Sequence, residues 1–270
     1  MLKFVCPILM PFKLRNTPLN TFICISSKMV ISFVVCLKFK KETKKTKNVS
    51  FEIKLFYFCS RMQNIESIDP KELSLIERVT DVYLNEGMKR ITMDDMAKKL
   101  TVSKKTLYKY VKNRKELVMK STQFHVQRER RNVTEIQERE LNPIEEHYQL
   151  SRYYIHTISK INPVLHHDME HYFPEAWEFL NIYFNGFIFE SVFKNLKRGQ
   201  KEGYYHKGFH PEIVAKFFTR RVDMIFDGEL FPNDRFSFVD VYLEFLIYHI
   251  NSITSEKGKK IFSTLDFKQI

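Results

Sequence analysis

His167, Glu170 and His171 satisfy the pattern H-x-x-E-H, two imidazoles one helical turn apart with a carboxylate between them. At that spacing the imidazoles can hold a zinc ion while the glutamate acts as general base on a bound water. A catalytic zinc needs a third protein ligand, and no downstream motif nominates one. The chain has 9 histidines, so a chance match is easily met. A small helical zinc-dependent hydrolase using residues 167–171 is therefore the alternative reading. The sequence assigns no catalytic residue, no metal and no cofactor. With only 7 glycines it also offers no Gly-rich phosphate loop or nucleophile elbow.

A second constellation is chemical through its charge. Between Asp95 and Glu116 stand Lys98, Lys99, Lys104, Lys105, Lys109, Lys112, Arg114 and Lys115, with no acidic residue among them. A solvated face usually mixes signs. Lys104 and Lys105 open a helix, where cations oppose the macrodipole at a cost of about 0.3–1 kcal/mol each. Binding a polyanion would offset that cost. In a DNA major groove Lys donates to guanine O6 and N7, Tyr108 and Tyr110 can donate hydroxyls to phosphates, and Arg114 can grip one bidentately. The bland alternative is a solvated basic face on a small bundle.

The elements that would position these residues are legible. KELSLIERVTDVYLNEG places Leu73, Ile76, Val79, Val82 and Tyr83 on one stripe, with Leu75 beside it, and stops at Gly87. Thr92 and Asp95 form a T-x-x-D capping box opening a second helix near 92–100 that buries Met96, Ala97 and Leu100. Thr101 and Val102 make a tight turn, and Ser103 caps a third helix packed through Leu107 and Val111. This is a helix-turn-helix inside a three-helix bundle. Helix continues from about Asn113 towards Asn132, and Pro143, Pro163, Pro174 and Pro211 each mark a helix start. The expected later helices are 143–160, 163–171, 174–198, 211–226 and 236–254.

ITMDDMAKKLTVSKKTLYKYVKNRKELV resembles the DNA-binding signature of the TetR family of transcriptional repressors, T-x-x-x-I-A-x-x-x-G-V-S-x-x-T-L-Y-x-Y-F-x-x-K-x-x-L. The resemblance implies an all-α fold: an N-terminal three-helix bundle with the helix-turn-helix, then a C-terminal helical regulatory and dimerisation domain. It implies a homodimer that binds double-stranded operator DNA through the major groove, as a cytoplasmic repressor released by a small-molecule effector. Residue by residue, Thr92 matches the phosphate-touching cap, and Lys104, Lys105 and Thr106 occupy the base-facing positions; the capping Ser103 and the outward Lys109 join the expected DNA contacts on the reading of the helix itself. Tyr108 and Tyr110 match phosphate-touching aromatics, and Arg114 stands where the family usually has Lys. Thr101 replaces the usual turn glycine, which questions the turn, since a β-branched residue dislikes positive φ. Val111 replaces the more frequent Phe.

Residues 171–193 are dense in aromatics that surround their helix instead of forming one stripe. The resemblance implies an effector pocket there, with Trp177, Tyr183, Phe184 and Phe187 as candidates to stack on the ligand. Plain core is the competing reading. Ile213, Val214, Phe217, Phe218, Val222 and Ile225, then Phe238, Val241, Tyr242, Phe245, Leu246 and Ile250, give the last two helices wide apolar faces that suit a two-fold four-helix interface.

Charge and cysteine usage divide the chain. The net charge is +12, and residues 1–61 hold 12 of the 44 basic residues and all four cysteines, Cys6, Cys24, Cys36 and Cys59. Composition turns ordinary at Met62. Residues 1–61 therefore read as translation from an upstream start or as a disordered basic extension. Residues 62–120 read as the DNA-binding domain, and 121–270 as the effector-binding and dimerisation domain. A body without cysteine suits a reducing compartment. No apolar run approaches the roughly 20 residues of a membrane span, and no signal peptide is expected.

Overall fold

Asp69 accepts a hydrogen bond from the Lys71 amide at 3.1 Å, and Pro70 takes the first helical position, so α1 runs Pro70–Glu86. It buries Leu75, Ile76, Val79 and Tyr83, while Leu73, expected on that stripe, faces outward. Gly87 ends it at φ 83°, a left-handed conformation that glycine adopts without steric cost. In α2, Met93–Lys99, both halves of the capping box form: the Asp95 amide donates to Thr92 Oγ1 at 3.2 Å, and the Thr92 amide donates to Asp95 Oδ2 at 3.0 Å. Ser103 caps α3, Lys104–Tyr110, by accepting from the Thr106 amide at 3.0 Å. Asn113 caps α4, Arg114–Gln137, in the same way from Glu116.

The computed structural model describes residues 69–266 apart from Asn233, so the expectations for residues 1–61 lie outside the described residues. After α4 come α5 Pro143–Ile158, α6 Val164–Tyr172 and α7 Pro174–Tyr183. A π-helical turn, Phe184–Ile188, joins α7 to α8 Phe189–Lys201, and then follow α9 Pro211–Ile225, α10 Phe238–Ile253 and α11 Glu256–Phe262. The described residues contain no named strand, only an isolated bridge between Tyr205 and Thr254. The fold is all-α, as expected. Two details differ from the sequence reading. The helix expected at 174–198 is broken in phase by the π turn, and α11 was not foreseen.

Three apolar clusters hold the helices. The first gathers Val79, Tyr83, Met96, Leu107, Val111 and Val118 of the first four helices and continues into Leu165, Met169 and Phe173 from α6 and its end. The second lies under α5, α8, α9 and α10, with Ile144, Leu196, Phe218, Leu246 and Ile250. The third joins α4 to α7 through Val126, Val133, Phe179 and Tyr183. Each such fully buried aliphatic contributes about 1.5–3 kcal/mol. α4 is common to the first and third clusters, so a boundary drawn at residue 120 falls inside a continuous helix.

A candidate nucleic-acid interface and the cavity behind it

Leu107 is fully buried and Val111 nearly so, which fixes the roll of α3 and turns Lys104, Lys105, Tyr108 and Lys109 to solvent. The turn before α3 answers the question Thr101 raised: it sits at φ 54°, the left-handed conformation that a β-branched residue adopts only under strain. Arg78 donates to the Leu100 carbonyl, tying α1 to the end of α2. Lys120 pairs with Glu72 at 2.6 Å and donates to the Tyr110 carbonyl at 2.7 Å, fixing the end of α3. α3 is thus a short rigid rod with a basic outer face.

The predicted contact residues are not equivalent. Lys104 pairs with Asp94 at 2.8 Å, and that hydrogen bond raises its pKa, so part of the cost of a cation in the first turn is met within the chain. Lys105 has no carboxylate within ion-pair distance among the described residues and remains fully available. Ser103 and Thr106 share a hydroxyl hydrogen bond of 2.8 Å, and Thr92 Oγ1 donates to Asp95 at 2.6 Å. Lys109 lies over the Tyr110 ring at 5.0 Å, with Tyr110 half-buried. The Arg114 guanidinium donates to the carbonyls of Met88 and Lys89, the latter at 2.6 Å, and stacks on Phe173 at 5.2 Å. These contacts tie Arg114 to the α1–α2 turn.

That turn is held from its other side as well. The buried carboxylate of Asp168, on α6, accepts the amides of Met88 at 2.9 Å and Lys89 at 2.8 Å. Asn162 donates its backbone amide to the Leu84 carbonyl at 2.7 Å and its side-chain amide to the Asn85 carbonyl at 3.1 Å. The α1–α2 turn is therefore clasped between Arg114 and Asp168. Sequence reading missed Asp168, visible there only as a spacer inside H-x-x-E-H.

Behind the clasp, α1, α4, α6 and α7 border a partly open cavity of about 100 Å³. Trp177 and Phe184 line it, as expected, together with Tyr83, Met88, His125, His166 and Phe226. Burial pushes the Tyr83 hydroxyl up to about 12, with Arg114 drawing it back. Tyr183 and Phe187 do not line the cavity. Trp177, Leu180 and Phe184 share one stripe at i, i+3 and i+7, whereas Tyr183 and Phe187 fall on the next stripe and stack on each other at 5.7 Å, with Tyr183 buried in the third cluster. The His166 ring meets Trp177 edge-on at 4.5 Å and lies parallel to Phe226 at 5.5 Å. Burial lowers His125 to about 4, with Arg128 adding to the effect, and burial also lowers His166. Both imidazoles are accordingly neutral near pH 7.

The zinc reading fares differently. His167 and His171 lie exposed with their rings stacked at 4.1 Å, and His171 Nδ1 is 3.0 Å from the His167 carbonyl oxygen. Among the described residues, no group of three or more His, Cys, Asp or Glu is arranged to hold a metal ion.

No family model matches the chain, and no curated protein matches it. Solved structures do. A transcriptional regulator from Saccharomonospora viridis in complex with choline is 15% identical with a TM-score of 0.57, over 70% of this chain and 100% of that one. The regulatory protein TetR from Rhodobacter sphaeroides is 13% identical with a TM-score of 0.53, over 65% and 96%. FadR from Bacillus subtilis, in complex with stearoyl-CoA, is 14% identical with a TM-score of 0.51, over 66% and 97%. These likenesses establish the fold, an all-α architecture shared with these three structures.

Proposed function

We propose that the chain is a ligand-responsive, DNA-binding transcriptional regulator, a repressor that a small molecule releases from its operator. The observation that carries the reading is the outer face of α3, a capped and clasped rod presenting Lys105, Tyr108 and Lys109 with the paired Lys104 beside them. Thr92, Ser103, Thr106 and Tyr110 complete the contact surface, together with Arg114, whose guanidinium also holds the α1–α2 turn. Residues 62–120 form the DNA-binding part and 121–270 the effector and dimerisation part, α4 running through both. The choline and stearoyl-CoA complexes of proteins with this fold support a ligand-responsive body. The reading makes the protein cytoplasmic, working where the DNA is. No helix among the described residues is long and apolar enough to cross a membrane.

In this mechanism two copies join through α9 and α10, setting two α3 helices about 34–36 Å apart on one face of the duplex. A ligand in the cavity touches Met88 of the clasped turn and the helix that carries Asp168, so its binding tilts α1–α3 and spoils the spacing. Coupling of about 1–3 kcal/mol gives 5- to 150-fold release. The test is a gel shift against the DNA upstream of the protein's own gene. Sequence-specific binding weakened about tenfold or more by Lys105→Ala is the expected result. Binding that is salt-labile and indifferent to sequence would instead make this an architectural protein.

A further inference from the structure

The cavity walls constrain what can enter, and this inference rests on the regulator reading only for its purpose. Trp177, Phe184 and Phe226 supply aromatic surface, and among the described residues no Lys, Arg, Asp or Glu lines the space. An ion placed there would lose its hydration with no counter-charge to replace it, so charged ligands are strongly disfavoured. The hydroxyls of Thr80 and Thr122 are already spent on the carbonyls of Ile76 at 2.7 Å and Val118 at 2.9 Å. The lining also carries the hydroxyls of Tyr83 and Ser121 and the indole N–H of Trp177, and two of its polar atoms are buried without a partner. Nδ1 of His125 and Nε2 of His166 are shut from solvent and have no hydrogen-bond partner. Buried polar groups are nearly always satisfied, so both atoms ask for a ligand group. A neutral imidazole nitrogen either donates or accepts according to tautomer, and a hydroxyl can answer it in either sense. At about 100 Å³ the space is smaller than the closed apolar cavity of about 150 Å³ that takes benzene, so a single ring is the upper limit and would sit partly in the open side of the cavity.

We propose that the cavity is the binding site for a small uncharged aromatic molecule bearing a hydroxyl group, gripped by His125 and His166 and stacked among Trp177, Phe184 and Phe226. Long acyl chains and carboxylates fall outside this class. Trp177 is the only tryptophan of the chain, which makes its emission a local reporter of occupancy.

The experiment titrates the full-length protein with phenol, toluene, benzoate and benzylammonium while following tryptophan emission. Phenol is expected to give a saturable change, with toluene, the same shape without the hydroxyl, about tenfold weaker. Benzoate and benzylammonium are expected to give no saturable change over the same range. His125→Phe and His166→Phe should each reduce the phenol preference over toluene. The comparison of phenol with toluene on the unaltered protein stands even if a variant fails to fold. Absence of a saturable phenol response, equal affinity for phenol and toluene, or tighter binding of either charged compound would overturn the proposal. If phenol binds as stated yet leaves operator binding unchanged, the ligand class stands and the regulator reading falls.

Discussion

Asp168 shows how a single residue can matter more than the motif around it. H-x-x-E-H draws attention to its histidines and glutamate, but the buried polar member of that stretch is the aspartate, which accepts two backbone amides of the α1–α2 turn. Hydrogen bonds to a charged acceptor contribute about 1.5–3 kcal/mol, and an amide oxygen replaces them poorly. Asp168→Asn is therefore expected to lower stability in urea by about that amount and to blunt ligand-induced release from DNA more than DNA binding itself. Unaltered release in that variant would remove the clasp from the mechanism. Gly87 belongs to the same device: a Cβ added there would lie 2.9 Å from Val164 Cγ2 and 3.1 Å from Asp168 Oδ2, so glycine admits both the left-handed backbone and the close approach of α6. At this scale the capping residues Thr92 and Ser103 were legible because their partners lie three residues away. Arg114 and Asp168 were not, because theirs come from turns and helices distant in sequence.

Elements with strong local signals had their starts read to within a residue or so, although α4 runs on to Gln137, past the expected Asn132, and those that depend on neighbours were read less well. α1 to α4 carry caps, a glycine stop and clean apolar spacing. The phase change at Phe184–Ile188 has no such signal, since an aromatic run that surrounds its helix fits either register. The choice of Trp177 and Phe184 over Tyr183 and Phe187 as cavity walls depends on which stripe meets α1 and α6, and sequence periodicity alone cannot rank two adjacent stripes. The join of α5 to α8 is equally non-local. Tyr205 donates its hydroxyl to the Pro143 carbonyl at 3.1 Å and to Asn195 Oδ1 at 2.9 Å, and Asn195 in turn donates to Glu146 at 2.9 Å. The Tyr205 ring lies against Gly199, where an added Cβ would come within 2.0 Å of it. Gly199→Ala is thus expected to expel the ring and strand its buried partners, costing about 2–4 kcal/mol by the combined loss of packing and hydrogen bonds. Circular dichroism through a urea titration would measure it, and a loss below the fitting error would mean the ring moves aside freely.

Over the whole molecule, buried imidazoles tie stability to pH. Burial lowers His249 to about 3, His125 to about 4, and also depresses His147 and His166. Unfolded histidines take up protons near pH 6.5 while these stay neutral, so the unfolded state binds more protons below that point and stability falls as pH drops. Buried Glu129 and Glu146 shift upward and pull the other way, so the informative comparison is of slopes. His249→Phe should flatten the fall in urea midpoint between pH 7 and 5, and an unchanged slope would contradict the assignment. The same scale decides assembly. The second cluster absorbs much of the apolar face that the sequence suggested for pairing: Phe218, Ile225, Val241, Tyr242, Leu246 and Ile250 are buried within one chain. What remains outside is narrower. Ile213, Phe217 and Met224 lie along α9 at intervals of four and seven residues, and Phe217 and Tyr248 keep 71% and 76% of their surface in solvent. Such a stripe on two neighbouring helices suits a self-complementary two-fold contact of about 1,200–2,000 Å² in total. Phe217→Glu combined with Tyr248→Glu would place like charges at its centre. Sedimentation is expected to show a dimer for the unaltered chain and a folded monomer for the double variant. Operator affinity should fall at least tenfold, because a monomer loses the second half-site, while the phenol response at Trp177 persists. A double variant that still sediments as a dimer would move the pairing surface away from α9 and α10.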